Sequence, residues 1–227
     1  GNSTFVAVGS SGTILTSSDG TAWTSKTSGT NENLYGVTYA NSIFVVVGTA
    51  GTILTSSDGT TWTSRTNTNV TSNHLIGVTY GNNTFVAVGY SGTILTSSDG
   101  TSWTDRTNTN VTSNHLNGVT YGNGTFVLVG GPTILTSTDG TTWDNRTSGT
   151  SQNLRAVTRG NATFVAVGFV GTILTSSDEV MDTESHVVGI ETNQASLSIN
   201  GSVTLQDNAT ISTDSGEVSL GNLDLEN

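Results

Sequence analysis

Apolar and polar residues alternate along the chain in a pattern that returns about every 40 residues, a spacing typical of repeat architectures. The apolar run "FVAVG" begins at Phe5 and returns with small changes at Phe44, Phe85, Phe126 and Phe164. The run "TILTS" follows each copy, and a tryptophan segment and a run such as "LIGVTY" follow most of them. Each repeat thus holds four short runs of β-branched and aromatic residues separated by turn residues, which predicts four β-strands and no helix.

A four-stranded unit of this size cannot cover both of its own faces, but it can do so when it packs between similar units. The nearly continuous apolar runs are typical of strands that are buried on both sides. We therefore predict an all-β fold in which residues 1–178 form a β-propeller of about five four-stranded blades.

A second repeated stretch, "TSSDGTTW" at residues 55–62, contains Asp-Gly, which is a strong hairpin-turn signal. The aspartate can accept backbone N–H groups, and the tryptophan can pack under the turn. We predict a structural turn role for the repeated aspartates and tryptophans. They are Asp19, Asp58, Asp99, Asp139, Asp178, Trp23, Trp62, Trp103 and Trp143.

This stretch resembles the Asp-box of sialidases and many other propellers, which in that family is a structural corner remote from the active site. The family pattern places the glycine two residues after the aspartate, whereas here the glycine follows directly. The resemblance implies the fold, with these blades as Asp-box-like blades, and says little about chemistry.

Sialidase chemistry would need three arginines that hold the substrate carboxylate and a tyrosine–glutamate nucleophile pair, and the repeats do not supply this set. Four of the six basic residues occupy one repeat position and are expected to be architectural: Lys26, Arg65, Arg106 and Arg146. His74 and His115 occupy a position held by Asn33 and Asn153 in other repeats, which favours a hydrogen-bonding loop residue over a catalytic base. One aspartate per blade is also too sparse for calcium, which needs six to eight converging oxygens. We expect no enzymatic activity, no metal and no cofactor.

Charge and composition exclude some partners. The chain has 17 acidic and 6 basic residues, with a net charge of −11, so a phosphate polyanion would be repelled and no nucleic-acid partner is expected. No apolar run approaches the roughly 18 residues of a membrane helix, so no membrane insertion is expected. The absence of cysteine removes disulfides and thiolate zinc sites.

The C-terminal residues depart from the repeat. The segment "VVGIETNQASLSINGSVTL" from Val187 resembles the "VGIGTTNP…VNG" segment of phage tail fibres and related trimeric surface fibres, although Glu191 replaces a glycine and Gln194 a proline. The resemblance implies a trimeric stem, so we assign residues 193–227 to a short β-rich stem and oligomerisation segment. Residues 179–192 are a linker or a ring-closing strand.

A competing interpretation comes from "HVVGIET" at residues 186–192, which echoes the first-strand sequence "HLIGVTY" at residues 74–80. These residues could supply the first strand that repeat 1 lacks and close a five-bladed ring. In that case the chain would be a monomeric lectin-like or scaffolding propeller.

Positions that vary within the rigid repeat are candidates for ligand binding, although loops also vary without any ligand. One position follows the first-strand leucine and another lies after "FVxVG". We select from these positions Tyr35, Tyr90, Asn117, Arg155 and Phe169. Aromatic rings could stack on sugars, while amide and guanidinium groups could bond to hydroxyls.

The function that these patterns favour is a non-enzymatic virion or surface fibre protein, located on a virion or outside the cell. It would be a homotrimer that attaches to host surface glycans through a displayed propeller, and other virion or surface proteins are possible partners. Some propellers of this type resemble a photosystem assembly factor, but no motif here singles that family out, and the arginine-rich surface expected of it is missing.

Overall fold

The computed structural model describes residues 1–108 and 110–176, which form five antiparallel sheets, one for each sequence repeat. We number these sheets blades 1 to 5. Blade 1 contains β1 (Phe5–Val8), β2 (Ile14–Ser17) and β3 (Thr24–Lys26). Blade 2 contains β4 (Leu34–Ala40), β5 (Ile43–Gly48), β6 (Ile53–Ser56) and β7 (Thr63–Ser64). Blade 3 contains β8 (Leu75–Gly81), β9 (Thr84–Gly89), β10 (Ile94–Ser97) and β11 (Thr104–Asp105).

The last two blades follow the same order. Blade 4 contains β12 (Gly118–Gly122), β13 (Thr125–Gly130), β14 (Thr133–Ser137) and β15 (Asp144–Arg146). Blade 5 contains β16 (Leu154–Gly160), β17 (Thr163–Gly168) and β18 (Ile173–Ser176). The strands pair in chain order within every sheet, so the prediction of an all-β fold built from repeated four-stranded units is confirmed.

Strand alternation gives each blade two apolar faces. In blade 2, Val45 and Val47 of β5 point to one side with Ile53 of β6, while Phe44 and Val46 point to the other. We call the valine–valine–isoleucine side, which meets the next blade along the chain, the forward face. The opposite side, with the phenylalanine, is the backward face.

Every described junction between blades repeats one packing arrangement. The forward face of blade 2 contacts Leu75, Phe85, Ala87 and Leu95 on the backward face of blade 3. The equivalent residues pack together at the other three junctions. Phe85, Val86 and Leu95 have no exposed surface, which explains why both sides of each strand are apolar.

Neighbouring first strands approach so closely that a side chain would not fit between them. A Cβ atom on Gly36 of β4 would lie 3.1 Å from the carbonyl oxygen of Ile76 in β8, and one on Gly118 would lie 3.2 Å from the Cα atom of Ala156. The glycine in "LxGVTY" is therefore required by packing between blades rather than by turn geometry.

Blades 1 and 5 each have three described strands and an exposed apolar side. Phe5 of blade 1 is 56% exposed, whereas its equivalents in blades 2 to 5 are buried. On the forward face of blade 5, Val167 and Ile173 are 40% and 50% exposed. Asp178, the 179–192 segment and the predicted 193–227 stem lie outside the described residues. Short 3-10 turns are the only helical structure in the described ranges, and none could cross a membrane.

Candidate functional site

The antiparallel order of the strands gives the blades two chemically different ends. One end, which we call the loop end, gathers the turns between second and third strands and the segments that precede each first strand. The other, the turn end, gathers the hairpins between first and second strands and the Asp-Gly turns. All five residues selected as ligand-binding candidates lie at the loop end.

Three of these candidates are exposed aromatic residues. Tyr35 in blade 2 is 47% exposed, Tyr90 in blade 3 is 37% exposed, and Phe169 in blade 5 is 48% exposed. Exposed rings of this size are unusual enough on one end of a small fold to mark a candidate contact surface.

The loop end contains three planar side chains in mutual contact, with Tyr90 touching both of the others. The rings of Tyr90 and His115 stack with centroids 4.1 Å apart and an angle of 16° between their planes. The His74 ring also contacts Tyr90, with centroids 5.1 Å apart and an angle of 52° between the ring planes. We call these three residues the aromatic row. Sequence variation selected Tyr90 alone, and the two histidines were missed as its neighbours.

The remaining candidates lie on the next two blades. The Asn117 amide donates to the backbone carbonyl of Leu154 at 2.8 Å and to the side-chain oxygen of Asn153 at 3.2 Å, so it bridges blades 4 and 5. The Arg155 guanidinium carbon lies 4.3 Å from the centre of the Phe169 ring, a cation–π contact. The structure thus brings Arg155 and Phe169 together, and leaves Tyr35 apart on blade 2.

The two histidines also have a structural task. His74 Nδ1 accepts the N–H of Ala50 at 3.0 Å, and His115 Nδ1 accepts that of Ser91 at 2.9 Å. Each acceptor residue belongs to the following blade, and each donor has a left-handed backbone conformation. We call this contact the interblade cap. An Nδ1 that accepts leaves the proton of a neutral imidazole on Nε2, which faces away from this bond.

Asparagine makes the same cap in the other repeats. Asn33 Oδ1 accepts the N–H of Ser11 at 2.9 Å, and Asn153 Oδ1 accepts that of Gly131 at 3.0 Å. The exchange of histidine and asparagine at this position is therefore explained by a shared side-chain acceptor, as the sequence comparison of the repeats suggested.

The Asp-Gly turns occupy the opposite end and are built by local hydrogen bonds. Asp58 Oδ1 accepts the backbone N–H groups of Thr60 and Thr61 at 2.7 and 2.8 Å and the Ser56 hydroxyl at 2.9 Å. The Trp62 indole N–H donates to the carbonyl of Gly59 at 3.2 Å. Gly59 has a φ of 73°, which explains the glycine directly after the aspartate.

These bonds stabilise the ionised carboxylate. Backbone N–H donation by Thr61, then Thr60, with the Ser56 hydroxyl, lowers the pKa of Asp58 to about 2. The pKa values of the equivalent aspartates are lowered for the same reason, and these are Asp19, Asp99 and Asp139. Each of these four carboxylates is therefore held by hydrogen bonds within its own turn, and each turn lies on a different blade.

The basic residue that recurs in the repeats forms a hydrogen bond within its own blade in three of them. The Nε atoms of Arg65, Arg106 and Arg146 donate to hydroxyls of Thr55, Thr96 and Thr136 on the neighbouring third strands, at 2.8 to 3.2 Å. Within residues 1–108 and 110–176, no three histidine, aspartate or glutamate side chains are grouped so that they could hold a metal ion.

Five repeated blades that bury each other's faces define a β-propeller protein. Within that class, residues 4–116 match the family described as DUF6242 beta propeller domain. A search among curated proteins found no match.

Solved structures support the same fold. The chain is 19% identical to YCF48 from Cyanidioschyzon merolae, with a TM-score of 0.59 over 76% of this chain and 62% of that one. For the structure titled "YCF48 bound to D1 peptide" the identity is 18% and the TM-score 0.59, over 76% and 59% of the two chains. For the WD40 beta propeller domain of Doa1 the identity is 12% and the TM-score 0.61, over 78% and 62%. The chain therefore spans about three-fifths of the length of these propellers.

Proposed function

We propose that this chain is a non-enzymatic attachment protein that binds carbohydrate through the loop end of its propeller. The observation that carries the proposal is the aromatic row, His74, Tyr90 and His115, with Arg155 and Phe169 on the same end. Planar rings pack against the apolar faces of sugars, and neighbouring amide and guanidinium groups bond to sugar hydroxyls.

The charge of the repeat region suits a neutral ligand. Residues 1–176 carry seven acidic and six basic residues, whereas residues 177–227 carry ten acidic residues and no lysine or arginine. The strongly negative net charge therefore belongs to the C-terminal segment. A nearly neutral surface with exposed rings favours hydroxyl-rich ligands over polyanions.

The absence of catalytic machinery is part of the proposal. Four of the seven carboxylates in residues 1–176 are held in separate Asp-Gly turns, and the two histidines accept backbone N–H groups through Nδ1. Glycoside hydrolysis needs two carboxyl groups that flank one bond, at most about 10 Å apart. One turn aspartate per blade does not supply such a pair.

The finer proposal is a fibre protein on a virion or cell surface. Its support is the resemblance of "VVGIETNQASLSINGSVTL" to phage tail-fibre stems, in residues outside the described part of the chain. A homotrimer would present three propellers, and linked weak sites raise the overall affinity by orders of magnitude, about 10²–10⁴.

A second candidate is a scaffolding propeller that binds a peptide or protein. It is favoured by the likeness to a YCF48 structure whose title records a bound D1 peptide, although that likeness rests on 18% identity. The exposed rings of the loop end would serve either ligand, so the two proposals share one surface and differ in what it binds.

The experiment is a glycan array probed with the full chain, followed by two single variants. Tyr90→Thr removes the central ring and introduces the residue that blade 2 carries at this position, Thr49, so the blade should still fold. Ser102→Ala at the turn end is the matched control, because blade 1 carries Ala22 there. We expect binding by the parent chain and the control, and at least about a tenfold weaker signal for Tyr90→Thr.

Binding that Tyr90→Thr leaves unchanged would place the sugar site elsewhere. An array without any binding would reject carbohydrate attachment, and a peptide array screened with the same three proteins would then test the scaffolding candidate.

A further inference from the structure

The forward face of blade 5 carries apolar residues whose equivalents in blades 2 to 4 are buried. Val165, Val167 and Ile173 occupy the positions that Val127, Val129 and Ile134 hold in blade 4. In blade 4 these residues are at most 3% exposed, whereas Val167 and Ile173 are 40% and 50% exposed. Among the described residues, nothing covers them.

The described junctions show what normally covers this face. A leucine at the start of the next first strand, such as Leu75 or Leu154, packs against the forward valines and isoleucine. The backbone of this leucine position is held as well, because Leu116 N–H donates to the Gly89 carbonyl at 2.9 Å and Leu154 N–H to the Gly131 carbonyl at 2.7 Å.

A second feature of blade 5 points to the same missing partner. Val170 has a φ of 55°, a left-handed conformation that is costly for a β-branched residue, and it is 88% exposed. Its equivalents, Ser11, Ala50 and Ser91, have nearly the same φ, and each donates its N–H to an asparagine or histidine of the next blade. No side chain in the described part of the chain caps Val170.

The occupant must therefore offer a specific sequence. It needs an asparagine or histidine acceptor and an apolar residue directly after it. The segment "HVVGIET" provides His186 and Val187 in this order. In the described first strand "HLIGVTY" the same positions are His74 and Leu75.

We propose that residues 186–192, which lie outside the described part of the chain, dock on blade 5 as the first strand of a further blade-like layer. In this arrangement His186 would cap the Val170 N–H, and Val187 would cover Val165, Val167 and Ile173. The 16 residues from Val170 to His186 are fewer than the 24 between Ala50 and His74, because no tryptophan segment lies between them.

The Val170 amide is a direct reporter, because no other described group accepts its hydrogen. We would measure hydrogen–deuterium exchange of the full chain with single-residue resolution at Val170 and across β18. We expect the Val170 amide to exchange at least about tenfold more slowly than an unprotected amide. His186→Asn should keep this protection, as Asn33 and Asn153 do in their caps, and His186→Ala should abolish it.

A matched pair of variants tests the apolar contact. Val187→Asn should raise exchange at Val170 and in β18 by about tenfold or more, because it places an amide on the buried side of the strand. Val188→Asn should leave exchange unchanged, because its equivalent in blade 4 is Asn117. Unprotected exchange at Val170 in the parent chain would overturn the proposal. Protection that depends on protein concentration would overturn it too, in favour of a second copy of the chain.

Discussion

At the scale of single residues, the repeats provide natural substitutions for one another. The interblade cap is made by histidine in two junctions and by asparagine in two others, with donor–acceptor distances of 2.9 to 3.0 Å throughout. The shared feature is an acceptor atom at one position, so we expect histidine and asparagine to be interchangeable in the cap.

His115→Asn should therefore change the free energy of unfolding by no more than about 0.5 kcal/mol. His115→Ala should cost about 1 kcal/mol, because the Ser91 N–H loses its acceptor. Urea denaturation of both variants against the parent chain measures this difference. Equal losses in the two variants would show that the ring packing against Tyr90, and not the cap, is what stabilises the junction.

The turn aspartates give the protein a defined response to acid. Because the pKa of Asp58 is lowered to about 2 in the folded state, its stabilising effect is complete above the unfolded value of about 3.9 and is lost as the pH falls through the folded value. Asp58→Asn, which lacks the charge, should have a lower urea midpoint at pH 7.

The difference in midpoint between Asp58→Asn and the parent chain should shrink as the pH falls from about 5 to about 2. The comparison at each pH is its own control, since every other group titrates in both proteins. A constant difference across this range would mean that the variant removes turn geometry rather than carboxylate charge.

At the scale of strands and blades, burial depends on the position of a blade in the series. Phe85 on the backward face of blade 3 has no exposed surface, whereas Phe5 at the same repeat position of blade 1 is 56% exposed. The two residues therefore share a sequence context but differ in what covers them.

Phe85→Ala should cost about 3–5 kcal/mol, because it leaves a cavity between blades 2 and 3. Phe5→Ala should cost at most about 1 kcal/mol, because the ring is already largely in solvent. Thermal or urea unfolding of the two variants is the measurement. Similar losses would show that the backward face of blade 1 is covered in solution.

Much of this fold could be predicted because each strand repeats in the sequence and each turn carries its own chemistry. "SDGT" specifies the Asp-Gly turn locally, so its hydrogen bonds follow from the residues alone. The stacking of Tyr90 on His115 could not be predicted in this way, because it depends on how two blades pack. The spacing of His74 and His115 around Tyr90 is the one sequence signal that could have indicated it.

At the scale of the whole molecule, the acidic residues are distributed unevenly along the chain. The blades are nearly neutral, and residues 177–227 hold ten of the 17 acidic residues. The loop end carries exposed aromatic rings, and the forward face of blade 5 is an exposed apolar surface. The carboxylates of the turn end are hydrogen-bonded within their own turns. Attachment through the loop end is most effective when several propellers act together, which makes the number of chains in the assembly decisive for the proposed function.

The most direct test of that proposal is the absolute mass of the full chain in solution, measured by light scattering over a range of concentrations. Multivalent attachment by a homotrimer predicts a mass three times the 23.3 kDa of one chain, with no dissociation at micromolar concentration. A mass of 23.3 kDa at every concentration would contradict the fibre proposal. The protein would then be a single lectin-like or scaffolding propeller.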